Sequence, residues 1–215
     1  MKFSALAAVS LLACALAPKA HAQFGIKAGV NEAVLKGRVG EDATYKTYFH
    51  AGVFYEAKLI GPLSIQPELL YSLQGSQLKG NSILNGVTTD YTTQLNYIQV
   101  PILLKATLGP VFVEAGPQFG YLVAANENGT VQVRTTSGTV AFRNMDQSST
   151  GSYKRGEVAL CAGLGLKLGS LIRVGGRFVA GLNDINNLQY LQGVNDPQLK
   201  NRVFQAYVAV QLPKL

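Results

Sequence analysis

The feature of this sequence that most constrains its fold is an alternation of apolar and polar side chains, which recurs in eight segments. The segments are residues 24–34, 47–59, 63–76, 91–108, 111–123, 153–168, 171–182 and 202–212. Each contains a row of alternate residues without a charge, such as Val158, Leu160, Ala162, Leu164 and Leu166. Because successive side chains of a strand point to opposite faces, each row is one face of a strand. The sequence therefore predicts eight β-strands, each with an apolar face.

The opposite rows of the same segments carry the charges. We predict that six basic and four acidic side chains, together with one histidine, form a charge network on the inner face of a closed sheet: Lys27, His50, Glu56, Lys58, Glu68, Lys105, Glu114, Glu157, Lys167, Arg173 and Arg177. These rows are also rich in glycine, which suits a narrow and crowded interior. A barrel of eight strands leaves just enough interior space for side chains to fill.

The connections between the segments alternate strictly in length. Three are short and contain Ile60-Gly61-Pro62, Gly109-Pro110 and Gly169-Ser170, whereas the other four span about 12 to 29 residues. Short turns at one end and long loops at the other are typical of outer-membrane barrels. A soluble sandwich with Greek-key crossings does not require this alternation.

Alternation alone also fits a soluble, lipocalin-like barrel with its apolar rows turned inward. Two observations favour the membrane: the apolar rows have the 9–11 residues that a tilted spanning strand needs, and tyrosines cluster near the strand ends. The absence of tryptophan counts against it, because interfacial girdles often contain that residue. We predict an all-β fold, an eight-stranded antiparallel up-and-down transmembrane β-barrel with short periplasmic turns and long extracellular loops.

The N-terminus has the pattern of a secretory signal. Lys2 precedes an uncharged apolar stretch, and Ala20-His21-Ala22 forms a small-residue cleavage site. We predict a cleavable signal peptide at residues 1–22, a barrel domain at residues 23–215 and insertion into the outer membrane. Leu11-Leu12-Ala13-Cys14 loosely resembles a lipidation signal, so lipidation of Cys14 stays open as an alternative.

Three motifs carry a resemblance to a known family. Residues 25–31 (GIKAGVN), 63–72 (LSIQPELLYS) and 97–105 (YIQVPILLK) are similar to the PorT-type outer-membrane β-barrel family of Gram-negative bacteria. The resemblance spans nearly the whole mature chain and implies an eight-stranded outer-membrane barrel, but it implies little about activity. Barrels of this kind usually end in an aromatic residue that the assembly machinery reads, whereas this chain ends in Gln211-Leu-Pro-Lys-Leu215.

Motifs for catalysis or cofactor binding are weak. Gly163-x-Gly165 lacks the following helix of a dinucleotide site, and Gly75 to Gly80 lacks the lysine of a phosphate-binding loop. His50 and Cys161 are the only mature histidine and cysteine, too few for a triad or a metal site. We therefore predict no catalytic, cofactor or metal site.

The charge of the mature chain does not indicate nucleic acid as a partner. The 19 basic residues include Lys2 and Lys19, so 17 basic and 12 acidic residues remain, a net charge of +5. Much of this excess falls on the predicted inner face. The predicted partners are outer-membrane lipid, the barrel-assembly machinery and an unknown extracellular or envelope protein that contacts the long loops.

The third long loop contains a candidate interaction element. Residues 131–133 and 139–141 alternate around Ser137-Gly138, which predicts a hairpin that extends beyond the membrane. Exposed hairpin edges can pair with another chain. A structural or surface-interaction barrel is thus the leading function, and the alternatives are a soluble carrier of a lipophilic ligand and an outer-membrane enzyme acting on lipid or peptide.

Overall fold

The computed structural model describes residues 23–37, 43–82, 87–134, 140–187 and 199–212. It contains ten strands: β1 (Gln23–Lys36), β2 (Ala43–Thr44), β3 (Lys46–Lys58), β4 (Leu63–Ser82), β5 (Val87–Leu108), β6 (Val111–Arg134), β7 (Val140–Ser148), β8 (Gly156–Leu168), β9 (Ile172–Gly181) and β10 (Lys200–Gln211). A single 3-10 turn, Thr150–Ser152, precedes β8.

Eight of these strands close into an antiparallel barrel, which confirms the predicted fold class. The order is β1, β3, β4, β5, β6, β8, β9, β10, and β10 pairs with β1 to complete the circle. The two remaining strands add to the barrel at the loop end, where β2 pairs with β4 and β7 pairs with β6. No helix in the described part of the chain is long and apolar enough to cross a bilayer.

The short turns lie at one end of the barrel, at the three predicted positions. Each contains a glycine with positive φ: 58° at Gly61, 63° at Gly109 and 71° at Gly169. This backbone conformation is unfavourable for residues with a Cβ, so glycine allows the chain to reverse tightly here. The strand ends that the four longer connections join all lie at the opposite end.

Several strands extend further at the loop end than the sequence predicts. β4 continues to Ser82 and β5 begins at Val87, so the predicted loop of residues 77–90 is mostly strand. The residues following Val87 are rich in threonine and therefore favour a strand, although their polarity is typical of a loop. In the other direction, β8 begins at Gly156 rather than residue 153, because Tyr153 makes only an isolated bridge, to Asn186, and the two residues after it are not in a strand.

The two paired strands of the hairpin predicted in the third long loop are confirmed. β6 continues to Arg134 and pairs with β7 in register, with Arg134 opposite Val140. Its predicted turn at Ser137-Gly138 lies outside the described residues, as do the predicted signal peptide, Cys14 and residues 213–215.

The two faces of the barrel differ sharply in polarity. The outward rows are apolar and exposed, with Leu164 and Phe49 each 64% exposed. The inward rows bury charged side chains, among them Lys27, Glu68 and Arg177. A soluble carrier of an apolar ligand needs the reverse arrangement, so the lipocalin-like alternative is wrong.

Candidate functional site: the filled lumen and the extracellular sheet

The centre of the lumen is an ion-pair network around Arg177 of β9. Its Nη1 and Nη2 donate to the two carboxylate oxygens of Glu68 at 3.0 Å each. Its Nε and Nη2 donate to Oε1 of Glu114 at 2.9 and 2.8 Å. Lys27 Nζ donates to Oε1 of Glu68 at 2.5 Å. Two cations therefore face two carboxylates, and four different strands are joined through charge-assisted hydrogen bonds.

Neutral and aromatic groups surround this network. Tyr207 Oη donates to Glu114 Oε1 at 2.8 Å, and Lys27 Nζ lies 4.0 Å from the centre of the Tyr207 ring. Lys105 Nζ donates to Gln66 Oε1 at 3.1 Å and lies 3.9 Å from the centre of the Phe112 ring. Lys105 is thus held by an amide and a π face, both of which attract a cation.

A second group of charges lies toward the short turns. Arg173 contacts Glu56 as an ion pair and donates to Gln211 Oε1 at 2.5 Å. Lys58 is exposed and Lys167 half-buried, and both line a pocket of about 330 Å³ at this mouth of the barrel. The remaining nine residues of the predicted set are all buried. The structure therefore places Lys58 and Lys167 at the entrance of the lumen and the others within it.

His50 and Cys161 are buried on the loop side of the central network. His50 Nδ1 lies 2.7 Å from Oδ1 of Asn31, and Asn31 Nδ2 donates to Ser72 Oγ at 3.0 Å. Cys161 Sγ donates to Gln118 Oε1 at 3.3 Å. Among the described residues no group of three or more histidine, cysteine or acidic side chains is placed to hold a metal.

Glu157 lies nearest the loop end and differs from the other three carboxylates. Asn201 Nδ2 donates to its Oε1 at 2.6 Å, but no cation in the described chain pairs with it, and its Oε2 has no hydrogen-bond partner. An apolar cluster packs in the same end of the barrel: Leu35, Leu95, Tyr97, Leu122, Ala125, Tyr153 and Ile185. Apolar side chains therefore fill part of the loop end of the lumen.

The filled lumen predicts that the barrel does not conduct ions. Arg177, Glu68 and Glu114 fill its centre, and an apolar cluster packs in the loop end. The purified protein should therefore give no stable conductance in planar bilayer recordings. Large and steady conductance steps at neutral pH would contradict the packing described above.

The contrast between Glu157 and Glu114 predicts opposite effects of one substitution. Glu157→Gln removes an uncompensated buried charge, so the free energy of unfolding should rise by about 1–3 kcal/mol. Glu114→Gln removes a carboxylate that pairs with Arg177, so the same free energy should fall. Denaturant titration of both variants in lipid vesicles measures whether each substitution raises or lowers the free energy of unfolding. A loss of stability for Glu157→Gln would refute the conclusion that Glu157 is an uncompensated buried charge.

Sequence reasoning missed the neutral groups that complete the lumen. Gln66 and Tyr207 contact the charged side chains, and Asn31 contacts His50. All three share the inward rows with the predicted residues, so the alternation could have identified them. It also missed inward aromatic rings. The ring of Phe112 packs against Gly165, where a methyl group would overlap it, so the inward glycines make room for rings.

At the loop end, a sheet projects beyond the apolar rows. β4, β5 and β6 have 20, 22 and 24 residues, about twice the length that a spanning strand needs. Because the short turns next to these strands, at Gly61 and Gly109, lie at the other end of the barrel, the additional residues extend on the loop side. From Val123, at the end of the apolar row, to Arg134 the strand covers about 35 Å. Among the described strands, β7 pairs only with β6 and leaves its other edge without a strand.

A closed barrel with an apolar exterior, a charged interior and unequal ends is a membrane-spanning β-barrel. The chain belongs to the outer membrane protein beta-barrel domain family, whose model matches residues 17–187. It is therefore an integral protein of the outer membrane. A search of curated proteins gave no significant match.

The chain is similar to several solved structures at low sequence identity. Neisserial surface protein A is 14% identical, with a TM-score of 0.47, over 88% of this chain and 97% of the other. CarO of Acinetobacter baumannii is also 14% identical, with a TM-score of 0.45, over 86% and 97%. Ail of Yersinia pestis, solved with the heparin analogue sucrose octasulfate, is 12% identical, with a TM-score of 0.43, over 89% and 99%.

Proposed function

We propose that this protein is a non-enzymatic surface-interaction barrel that binds an extended polypeptide along β7. The observation that supports this most is that β7 continues a sheet rooted in the barrel and pairs on one side only among the described strands. A strand edge presents unpaired backbone N–H and C=O groups, which can add a further strand from a partner. The extracellular sheet, defined here as the loop-side parts of β4 to β7, is the proposed binding element.

The lumen supports this proposal by serving as a rigid base. The ion pairs of Arg177 join β4, β6 and β9, so the strands that carry the extracellular sheet are tied to the opposite wall. His50 and Cys161 are both buried, and in the described part of the chain neither lies beside a group that could make a nucleophile and base pair. A structural role in the envelope is the remaining candidate.

A shortened hairpin tests the proposal. Glu127 and Gln147 lie opposite each other, so an Asn-Gly turn can join them in place of residues 128–146 and remove most of β7. The full-length protein in vesicles should bind members of an array of extended peptides, and the shortened variant should not. Versions of the same peptides with alternate backbone nitrogens methylated are the control, because they lack the donors that a strand addition requires.

Equal binding by the shortened variant would refute recognition along β7, and so would equal binding of the methylated peptides. If no peptide binds at all, the structural role replaces recognition as the function.

We also propose how the chain reaches the membrane and which branch of its family it represents. Removal of residues 1–22 after export and insertion by the barrel-assembly machinery account for the N-terminal pattern, with lipidation of Cys14 as the alternative. The motifs at residues 25–31, 63–72 and 97–105 support a PorT-type member. Intact mass of the protein from outer membranes distinguishes cleavage after Ala22 from lipidation at Cys14.

A further inference from the structure

The lipid-facing surface carries a groove that crosses β8, β9, β10 and β1. It has a volume of about 570 Å³ and lies where small side chains interrupt the apolar rows. Ala206 and Gly176 lie opposite each other and form its floor. Val30 lies opposite Ala206 on one side, and Leu164 lies opposite Gly176 on the other. The groove is therefore a narrow apolar depression between two branched walls.

A basic rim lies beyond this groove, toward the loops. Phe204 and Phe178 are next to the floor, with ring centres 4.8 Å apart. Arg202 lies two residues before Phe204 on β10. Two residues earlier, Lys200 lies directly opposite Lys36 of β1. We call Lys36, Lys200 and Arg202 the basic rim. From the loop side to the membrane centre the surface is thus cationic, then aromatic with the carboxylate of Glu32 opposite Phe204, and then apolar.

The basic rim is electrostatically uncompensated within the described chain. Like charges directly opposite each other on paired strands destabilise a sheet, and Lys36 and Lys200 are such a pair. Neither makes an ion pair with a described residue, and Arg202 Nη1 donates to the backbone oxygen of Gly181 at 2.8 Å. The outward carboxylate of β1, Glu32, accepts a hydrogen bond from Thr47 Oγ1 at 2.5 Å. An anion at the rim would offset this repulsion.

We propose that one phosphate-bearing lipid of the outer leaflet docks here, with its headgroup on the basic rim and an acyl chain in the groove. The six residue-to-residue steps from Lys200 to Ala206 cover about 20 Å of strand. At the usual strand tilt this is about 15 Å along the membrane normal, half the thickness of the hydrocarbon core. A lipid of the outer leaflet has this span and the required separation of charge and chain.

A second copy of the chain fits this surface less well. A two-fold dimer places the same patch of both copies against each other. That arrangement would bring two basic rims together and oppose two concave floors, which increases repulsion and leaves the groove unfilled. Charge complementarity and shape both favour the anionic lipid.

Native mass spectrometry of the protein released from nanodiscs tests the proposal. The probe is phosphatidic acid at a low fraction in phosphatidylcholine, and we expect one retained phosphatidic acid per protein. The double variant Lys36→Gln/Lys200→Gln should weaken retention about 30-fold. Ala206→Leu, which fills the groove, should also reduce retention. Gly176→Val is a second filling variant, because the closest atom to its new Cβ is 3.8 Å away.

Matched controls separate this site from general effects of charge and size. Lys58→Gln/Lys167→Gln removes two charges at the short-turn mouth, and Ala115→Leu enlarges an outward residue of β6; both should retain the lipid normally. Retention unchanged in the rim and groove variants would overturn the proposal. Full displacement of the lipid by inorganic phosphate would also overturn it, because that result indicates an anion site without a site for an acyl chain. So would the loss of a dimer in Ala206→Leu, because that result indicates that a second copy of the protein occupies the groove.

Discussion

Replacing Arg177 with methionine is expected to lower the free energy of unfolding by at least 3–5 kcal/mol, the usual cost of breaking a buried ion pair. Arg177 is paired with both Glu68 and Glu114, and all three side chains are fully buried. The variant keeps the volume approximately but leaves Glu114 without the cation that contacts it. Denaturant titration in lipid vesicles, read by the different gel migration of folded and heated protein, measures the loss.

An ion pair outside the barrel provides the matched control for Arg177. Lys154 pairs with Asp184 at 2.7 Å, but its side chain is 47% exposed, so Lys154→Met should cost no more than about 1 kcal/mol. Adding Glu114→Gln to Arg177→Met should restore part of the stability, because it removes the unpaired carboxylate. Equal effects of Arg177→Met and Lys154→Met would mean that the lumen network does not stabilise the fold.

Arginine scanning of two adjacent residues should give effects of very different size. Val100 faces outward and is 37% exposed, whereas its neighbour Gln99 is fully buried in the lumen. Val100→Arg places a charge in the bilayer, which costs about 2–4 kcal/mol near the midplane. Gln99→Arg places the same charge on the lumen side, the side that holds the unpaired Glu157.

The folding yield into vesicles, measured by protease protection, should therefore rank Gln99→Arg above Val100→Arg. Leu164→Arg, on the outward face of β8, should behave like Val100→Arg. A consistently higher yield for the two outward variants would mean that the faces are inverted.

The strands and their faces could be predicted because alternation depends on local geometry alone. A side chain's parity along the strand decides its face, so Lys27, Glu68 and Arg177 could be assigned to the polar face, and the pattern of connections indicated that this face is the inner one. Parity does not give depth along the barrel axis. Lys58 and Lys167 have the correct parity but lie at the strand ends beside the short turns, so they reach the mouth.

The strand boundaries and the contacts inside the lumen depend on residues that are distant in sequence, so they were harder to predict from the sequence. Polar residues near Thr88 become strand because β4 and β6 pair with them on both sides. Glu68 and Arg177 meet across 109 residues of sequence, so a charge pattern can identify a network but not its pairs. The rings of Phe54 and Phe112 enter the lumen because glycines lie opposite them.

The apolar rows of the barrel face lipid and the charged rows face a filled lumen. The chain has no tryptophan, so a single introduced tryptophan is its only one and reports a single position. Val113 and Phe112 are adjacent on β6 and lie at nearly equal depth, but Val113 is 49% exposed and Phe112 is fully buried. In vesicles of lipids with brominated acyl chains, fluorescence of Val113→Trp should be strongly quenched and that of Phe112→Trp should persist. Quenching of Phe112→Trp with Val113→Trp unaffected would contradict the account.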